Sequence, residues 1–85
     1  MESFAHIIRD AEGLHARSCV VISREAAKWE CRITVRNENG IADAKNISDL
    51  LMLHARRGEG LCVSCEGKDE RQAASTLEAL MRMSV

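Results

Sequence analysis

The sequence predicts one small α/β domain, a two-layer sandwich with the element order βαββαβα. Segments in which apolar and polar residues alternate, as in half-buried strands, are interleaved with segments whose apolar residues recur every three or four positions, as in amphipathic helices. The chain has 85 residues, enough for a single domain covering positions 1–85. Apolar residues make up 46% and charged residues 29%, the balance of a globular protein.

The first half of the chain predicts a strand, a helix and a hairpin. We expect a strand over 4–8, a turn at 10–13 and a helix from 16 to about 28. A second strand over 31–35 leads into a hairpin whose Asn-Gly pair tolerates positive φ, and a short strand follows over 41–44. The residues expected to face inward are His6, Ile8, Cys19, Ile22, Ala26, Cys31, Ile33 and Val35, together with Phe4 at the start.

The second half predicts a short helix, a strand and a longer helix. Asn46 is a suitable N-cap for a helix that runs to Leu53. A strand over 61–65 follows a charged loop, and Gly67 ends it. Asp69 and Gln72 have the spacing of a capping box at the start of the last helix. The apolar stripe of that helix comprises Ala73, Leu77, Leu80 and Met81.

Charge and composition exclude several functions. The net charge is −1, from 12 basic and 13 acidic residues, so we expect neither nucleic-acid binding nor direct membrane binding. No apolar run approaches the roughly 20 residues that a membrane span requires, and no signal peptide is visible. Phe4 and Trp29 are the only aromatic residues, which excludes an aromatic stacking platform. Four cysteines without a secretion signal indicate a cytoplasmic setting.

The most informative segment is Gly13-Leu14-His15-Ala16-Arg17, where a histidine immediately precedes a predicted helix. The first amides of a helix lack intrahelical partners and bind phosphate readily. An imidazole is partly neutral near pH 7 and can act as a nucleophile, and an arginine can hold phosphate oxygens. The pattern fits a site that accepts a phosphoryl group. A surface histidine beside an unrelated arginine is the alternative.

This segment resembles the active-site motif of the HPr family, the histidine-containing phosphocarriers of the bacterial phosphotransferase system. The resemblance extends over roughly residues 3–83. The further matching positions are Asn39-Gly40, Asp43-Ala44-Lys45, Ile47, Leu50 to Leu53, Gly58 and Glu66-Gly67-Lys68-Asp69-Glu70. It implies a four-stranded antiparallel sheet of order 1-4-2-3, covered on one face by three helices.

The resemblance also implies the chemistry and the partners. His15 would be phosphorylated on Nδ1 by enzyme I and would pass the group to sugar-specific or regulatory A-type domains, with Arg17 assisting. The phosphate would bind at Ala16, Arg17 and Ser18. The protein would be a carrier and not an enzyme in its own right. We expect a monomer without a cofactor or a metal site.

The sequence differs from the family pattern at five positions. Family members usually have proline at the position of Ser18, a glycine at that of His54, and often a lysine at that of Asp49. Asn46 replaces a serine that one branch of the family phosphorylates, and an amide offers no hydroxyl to a kinase. Glu12 replaces a short polar residue, and its carboxylate would repel a phosphoryl group.

A partner surface is expected beside His15. An exposed apolar patch near a reactive residue suggests docking, although incomplete burial in a small domain is the alternative. The residues expected in this surface are Val20, Val21 and Arg24 of the first helix, with Ile47, Ser48, Asp49, Leu51 and Met52 of the second.

Two other functions remain open at this stage. One is an HPr-like regulator that signals by its phosphorylation state without feeding transport. The other is a small thiol or metal-binding domain, suggested by Cys62 and Cys65. On a strand, however, residues three apart point to opposite faces, which places Cys65 in the core and Cys62 in solvent. His6 is expected to be a core or edge histidine.

Overall fold

A computed structural model describes residues 1–85 and confirms the predicted order of elements. The four strands form one antiparallel sheet in the order β1-β4-β2-β3. Three helices accompany it, and the inward-facing side chains of the strands are buried between helices and sheet. The elements are β1 (Glu2–Ile7), α1 (Ala16–Ala26), β2 (Arg32–Asn37), β3 (Gly40–Asp43), α2 (Ile47–Leu51), β4 (Gly60–Glu66) and α3 (Glu70–Ser84).

The core lies on the helix-covered face of the sheet, as the alternation of apolar residues predicts. Val63 of β4 has Phe4 of β1 on one side and Val35 of β2 on the other, so these three adjacent strands share one apolar row. Every helix contributes to this core. Its largest fully buried side chains are Ile8, Ile22, Ile33, Leu50, Leu61, Leu77, Met81, Val35 and Val63. Leu80, which was expected to face inward on α3, is only half-buried.

Two helices end earlier than the sequence predicts. Helix α1 ends at Ala26 because the next amides, of Lys28 and Trp29, bond to carbonyls three residues back. Helix α2 ends at Leu51 in the same way, and His54 then adopts a left-handed conformation with φ 48°. The chain tightens into a last turn and leaves the helix.

The β2–β3 hairpin forms where it was expected, but by another mechanism. Asn37 pairs with Gly40, so the central turn residues are Glu38 and Asn39. Within the Asn-Gly pair only Gly40 adopts a positive φ, of 158°, and Asn39 does not. The side-chain oxygen of Asn37 instead accepts hydrogen bonds from the amides of Asn39 and Gly40, at 2.8 and 3.2 Å.

The capping box predicted for α3 is also wrong. Asp69 occupies the N-cap position, but its carboxylate accepts the backbone N–H groups of Glu30 and Cys31, at 2.9 and 3.0 Å. These bonds join the start of α3 to the start of β2. The carboxylate of Glu70 accepts the N–H of Gly67 at 3.0 Å, so Glu70, and not Gln72, bonds to the backbone before the helix.

Candidate functional site

A glycine brings two loops together at the start of α1. Gly13 has φ 71°, a conformation that side-chain-bearing residues rarely adopt. A Cβ atom there would stand 2.5 Å from the carbonyl oxygen of Ala55 and 2.9 Å from the Cα of Arg56. The same Ala55 oxygen accepts the N–H of Leu14 at 2.9 Å. The loop after α2 therefore rests directly on the loop that carries His15.

The backbone of His15 is fixed by a reciprocal contact with Ser18. His15 is the N-cap of α1, with extended φ −121° and ψ 178°. Its N–H donates to Ser18 Oγ at 3.0 Å, and that hydroxyl donates to the His15 carbonyl at 3.0 Å. The Ser18 hydroxyl is thus committed to the backbone, and the Ser18 amide faces the His15 side chain. This contact gives Ser18 a structural role at the position where the resemblance implies a proline in other family members.

The imidazole of His15 lies between two carboxylates. Its Nε2 is 3.0 Å from Asp10 Oδ2, a hydrogen-bond distance, and its Nδ1 is 3.8 Å from Glu12 Oε2, which is too long for one. The side chains of His15 and Asp10 are 22% and 20% exposed, whereas that of Glu12 is 71% exposed. Nδ1 is therefore the ring nitrogen that neither carboxylate holds by a hydrogen bond.

Asp10 is charged at neutral pH. The Glu12 N–H, which donates to Asp10 Oδ1 at 2.9 Å, is the largest cause that lowers the pKa of this carboxyl, and the hydrogen bond to His15 lowers it further. A charged carboxylate only accepts hydrogen bonds, so it favours a proton on the His15 nitrogen that faces it. The sequence indicated only a turn at Asp10. No pattern in the sequence pointed to its contact with His15.

The amino end of α1 supplies donors for an anion. The amides of Ala16, Arg17 and Ser18 are the first three of an 11-residue helix, and its first turn contains no acidic residue. The Arg17 side chain is exposed and forms no ion pair within the chain. Arg17 and Ser18 line a surface groove of about 380 Å³. A phosphoryl group on His15 would have these donors within the same turn.

The other two histidines lie in different surroundings. His54 is exposed and precedes Ala55, the residue that packs on Gly13, but it forms no hydrogen bond with His15. His6 is 7% exposed on the core side of β1, as expected, although its Nε2 has no partner. Burial, more than the nearby Arg9, lowers the pKa of His6.

An apolar patch is exposed on α2. Ile47 is 39%, Leu51 37% and Met52 70% exposed, while Leu50 between them is fully buried. Helices α1 and α2 pack together, so the remaining expected surface residues lie on adjoining elements. Val20 and Val21 are half-buried, and Arg24, Ser48 and Asp49 are exposed.

The cysteines lie as the strand pattern predicts. Cys62 is half-exposed and Cys65 is fully buried, which confirms that they occupy opposite faces of β4. All four cysteines are free thiols. No group of three or more His, Cys, Asp and Glu side chains is arranged to hold a metal ion. None of the helices is long and apolar enough to cross a membrane.

The fold and the site together define a class of small carrier domains, in which a histidine begins the first helix of a β1-β4-β2-β3 sandwich. The family model described as "PTS HPr component phosphorylation site" matches residues 3–83. The chain therefore belongs to the HPr family, the phosphocarrier proteins of the bacterial phosphotransferase system.

Individual relatives agree with this assignment. A phosphocarrier protein HPr of Haemophilus influenzae is 35% identical over 71 residues, which cover 84% of each chain. A crystal structure of HPr from Thermoanaerobacter tengcongensis is 30% identical, with a TM-score of 0.90 over 96% of this chain and 92% of that chain. A multiphosphoryl transfer protein of Xanthomonas campestris is 35% identical over 80 residues, which are 94% of this chain and 10% of that longer protein.

Proposed function

We propose that this protein accepts a phosphoryl group on Nδ1 of His15 from phosphorylated enzyme I and passes it to an A-type domain of the phosphotransferase system. The observation that carries the proposal is a histidine at the amino end of α1 whose Nδ1 is not held by a carboxylate. Family membership supports the carrier role.

Each neighbouring group has a defined role in the transfer. The Nδ1 lone pair attacks phosphorus, the bond from phosphorus to the donor atom of enzyme I breaks, and its electron pair stays on that atom. The helix amides and the Arg17 guanidinium stabilise the negative charge on the phosphoryl oxygens. The reverse sequence delivers the group to the acceptor, so the protein turns over no substrate of its own.

The exposed apolar patch on α2 supports a docking role in both transfers. Partner binding would cover Ile47, Leu51 and Met52 together with the neighbouring surface of α1. Asp49 stands beside this patch with its carboxylate bonded to the Asp43 amide at 3.2 Å. Since enzyme I presents acidic residues in this family, Asp49→Lys is expected to raise the rate with an enzyme I from another species.

The test is phosphoryl uptake followed by onward transfer. Intact-mass spectrometry at alkaline pH, where phosphohistidine survives, should show one added phosphoryl group after incubation with phosphoenolpyruvate and the cognate enzyme I. Subsequent addition of an A-type domain should remove that group. A folded chain that takes up none contradicts the proposal, and uptake without onward transfer to any A-type domain would favour the regulatory alternative.

Variants of Arg17 distinguish the effect of its positive charge on phosphoryl transfer from the effect of its forked donor geometry. Arg17→Ala should slow transfer in both directions and leave the denaturation midpoint unchanged, because the side chain is exposed and unpaired. Arg17→Lys should recover little of the rate, since an ammonium keeps the charge but lacks the forked donor geometry. Equal rates for wild type and Arg17→Ala would remove Arg17 from the mechanism.

A further inference from the structure

We propose that Asp10 is a positioning residue that fixes the tautomer of His15, holding the proton on Nε2 so that Nδ1 carries the lone pair. The inference deepens the proposed function and rests on it for its consequence in phosphoryl transfer. The tautomer itself can be measured without any phosphoryl donor.

Asp10 is held in place by its own backbone and side chain. Its N–H donates to the Val85 carbonyl at 3.1 Å, and its carbonyl accepts the N–H of Gly13 at 2.9 Å. Its Oδ1 accepts the N–H of Glu12 at 2.9 Å. With these three bonds made, Oδ2 is left to face the imidazole at 3.0 Å. The carboxylate is therefore oriented before any partner arrives.

The ring is fixed from the other side as well. The reciprocal bonds between the His15 backbone and Ser18 hold the Cα of His15 at the helix start. Asp10 and His15 side chains are each about four-fifths buried, so water competes weakly for their hydrogen bond. Glu12 is largely exposed, and its Oε2 is 3.8 Å from Nδ1. Its negative charge therefore acts on Nδ1 through space, but no hydrogen bond from Glu12 fixes a proton there.

The chemical consequence concerns which nitrogen can attack. A neutral imidazole has one N–H and one lone pair, and the hydrogen bond at one nitrogen decides the state of the other. A proton held on Nε2 leaves the lone pair on Nδ1. When Nδ1 forms its bond to phosphorus, the ring becomes positively charged, and Asp10 stabilises that charge through the same hydrogen bond.

The first measurement is a long-range ¹⁵N–¹H correlation spectrum of the wild-type protein at a pH where the ring of His15 is neutral. The expected spectrum shows Nε2 protonated and Nδ1 bare. A ring protonated mainly on Nδ1 would overturn the proposal. The result does not depend on whether the protein accepts phosphate, so the failure of the proposed function and the failure of this inference are distinguishable.

The variant Asp10→Asn gives the sharper test. The amide oxygen can still accept the Glu12 N–H, which turns the NH₂ group toward Nε2. An NH₂ donor requires a lone pair on Nε2, so the proton should move to Nδ1. We expect the tautomer to invert and phosphoryl uptake to fall about 10- to 100-fold. An unchanged tautomer in a folded Asp10→Asn protein would contradict the assignment.

Two further variants serve as controls. Asp10→Ala removes both contacts of the side chain, and its neutral ring should lose the strong bias toward the Nε2–H form. Glu12→Gln should leave the tautomer unchanged, because Glu12 does not reach hydrogen-bond distance of the ring. Glu12→Gln should also accept the phosphoryl group faster, since a negative charge beside Nδ1 is removed. A tautomer change in Glu12→Gln comparable to that in Asp10→Asn would show that Asp10 has no special role.

Discussion

Gly13 and Ala55 meet backbone to backbone, with a hypothetical Gly13 Cβ only 2.5 Å from the Ala55 carbonyl oxygen. This contact joins the loop that begins α1 to the loop that follows α2. Because both loops border the His15 site, the contact links His15 to the helix that carries the exposed apolar patch.

Gly13→Ala is expected to destabilise the protein by at least about 2 kcal/mol, because a strained positive φ is combined with overlap against a backbone atom. Gly58 is the matched control. It has φ 87° but open space around it, so Gly58→Ala incurs the conformational strain alone, about 1 kcal/mol. Urea denaturation of the two variants measures the difference. Equal losses of stability would show that the Gly13–Ala55 contact is unimportant.

Asn46→Ala should lower the free energy of unfolding by about 1 kcal/mol, because the Asn46 side chain accepts the Asp49 N–H at 3.1 Å. Asn46→Ser keeps a capping oxygen and should restore most of the loss. A kinase specific for the serine of other family members should leave wild-type position 46 unmodified. If Asn46→Ala unfolds at the wild-type denaturant concentration, Asn46 contributes nothing as a cap.

Stability should decline as the solution becomes acidic. The pKa of Asp69 is lowered chiefly by the Glu30 N–H, and that of Asp10 by the Glu12 N–H. Each group binds a proton less readily in the folded than in the unfolded chain. Its contribution is complete above about pH 4 and is lost as the pH falls through the lowered folded-state pKa.

Denaturant midpoints measured from neutral pH down to about pH 2 check this trend. Asp69→Asn should flatten the acid dependence, because it removes the carboxylate that joins α3 to β2. The exposed Asp43→Asn is a control that should retain the wild-type slope. An identical slope for wild type and Asp69→Asn would refute the role given to Asp69.

Cys62 should react alone with a thiol reagent under native conditions. Burial raises the pKa of the Cys19 and Cys65 thiols, and it is the largest cause that raises the pKa of Cys31 to about 12. Peptide mapping after limited labelling identifies the modified residue. A disulfide between Cys62 and Cys65 should not form under mild oxidation, since residues three apart on a strand are separated by about 10 Å. Recovery of that disulfide, or stoichiometric zinc uptake, would favour the thiol-domain alternative.

The order of elements and the inward faces could be predicted because both depend on local periodicity. Cys31, Ile33 and Val35 alternate as a strand does, and all three are buried. The contacts of Asp69 could not be predicted in this way, because its partners Glu30 and Cys31 are 39 and 38 residues distant and depend on how α3 packs.

In the functional site, too, the residues of a local motif could be predicted and a contact that depends on the folded turn could not. His15 and Arg17 lie in one short motif at a helix start, so the sequence indicated both. Asp10 reaches His15 only because the turn between them closes through the bond from Gly13 N–H to the Asp10 carbonyl. The left-handed conformation of His54 was likewise invisible, although the family glycine at that position is consistent with it.

The most direct test of the account is to locate the phosphoryl group after incubation with phosphoenolpyruvate and the cognate enzyme I. Wild type and His54→Ala should each gain one phosphoryl group, which fragment mass spectra at alkaline pH assign to His15. His15→Ala should still fold, because the ring bonds to Asp10 and does not belong to the hydrophobic core cluster, yet it should gain none. Label retained in His15→Ala, or lost in His54→Ala, would contradict the assignment of His15 as the acceptor.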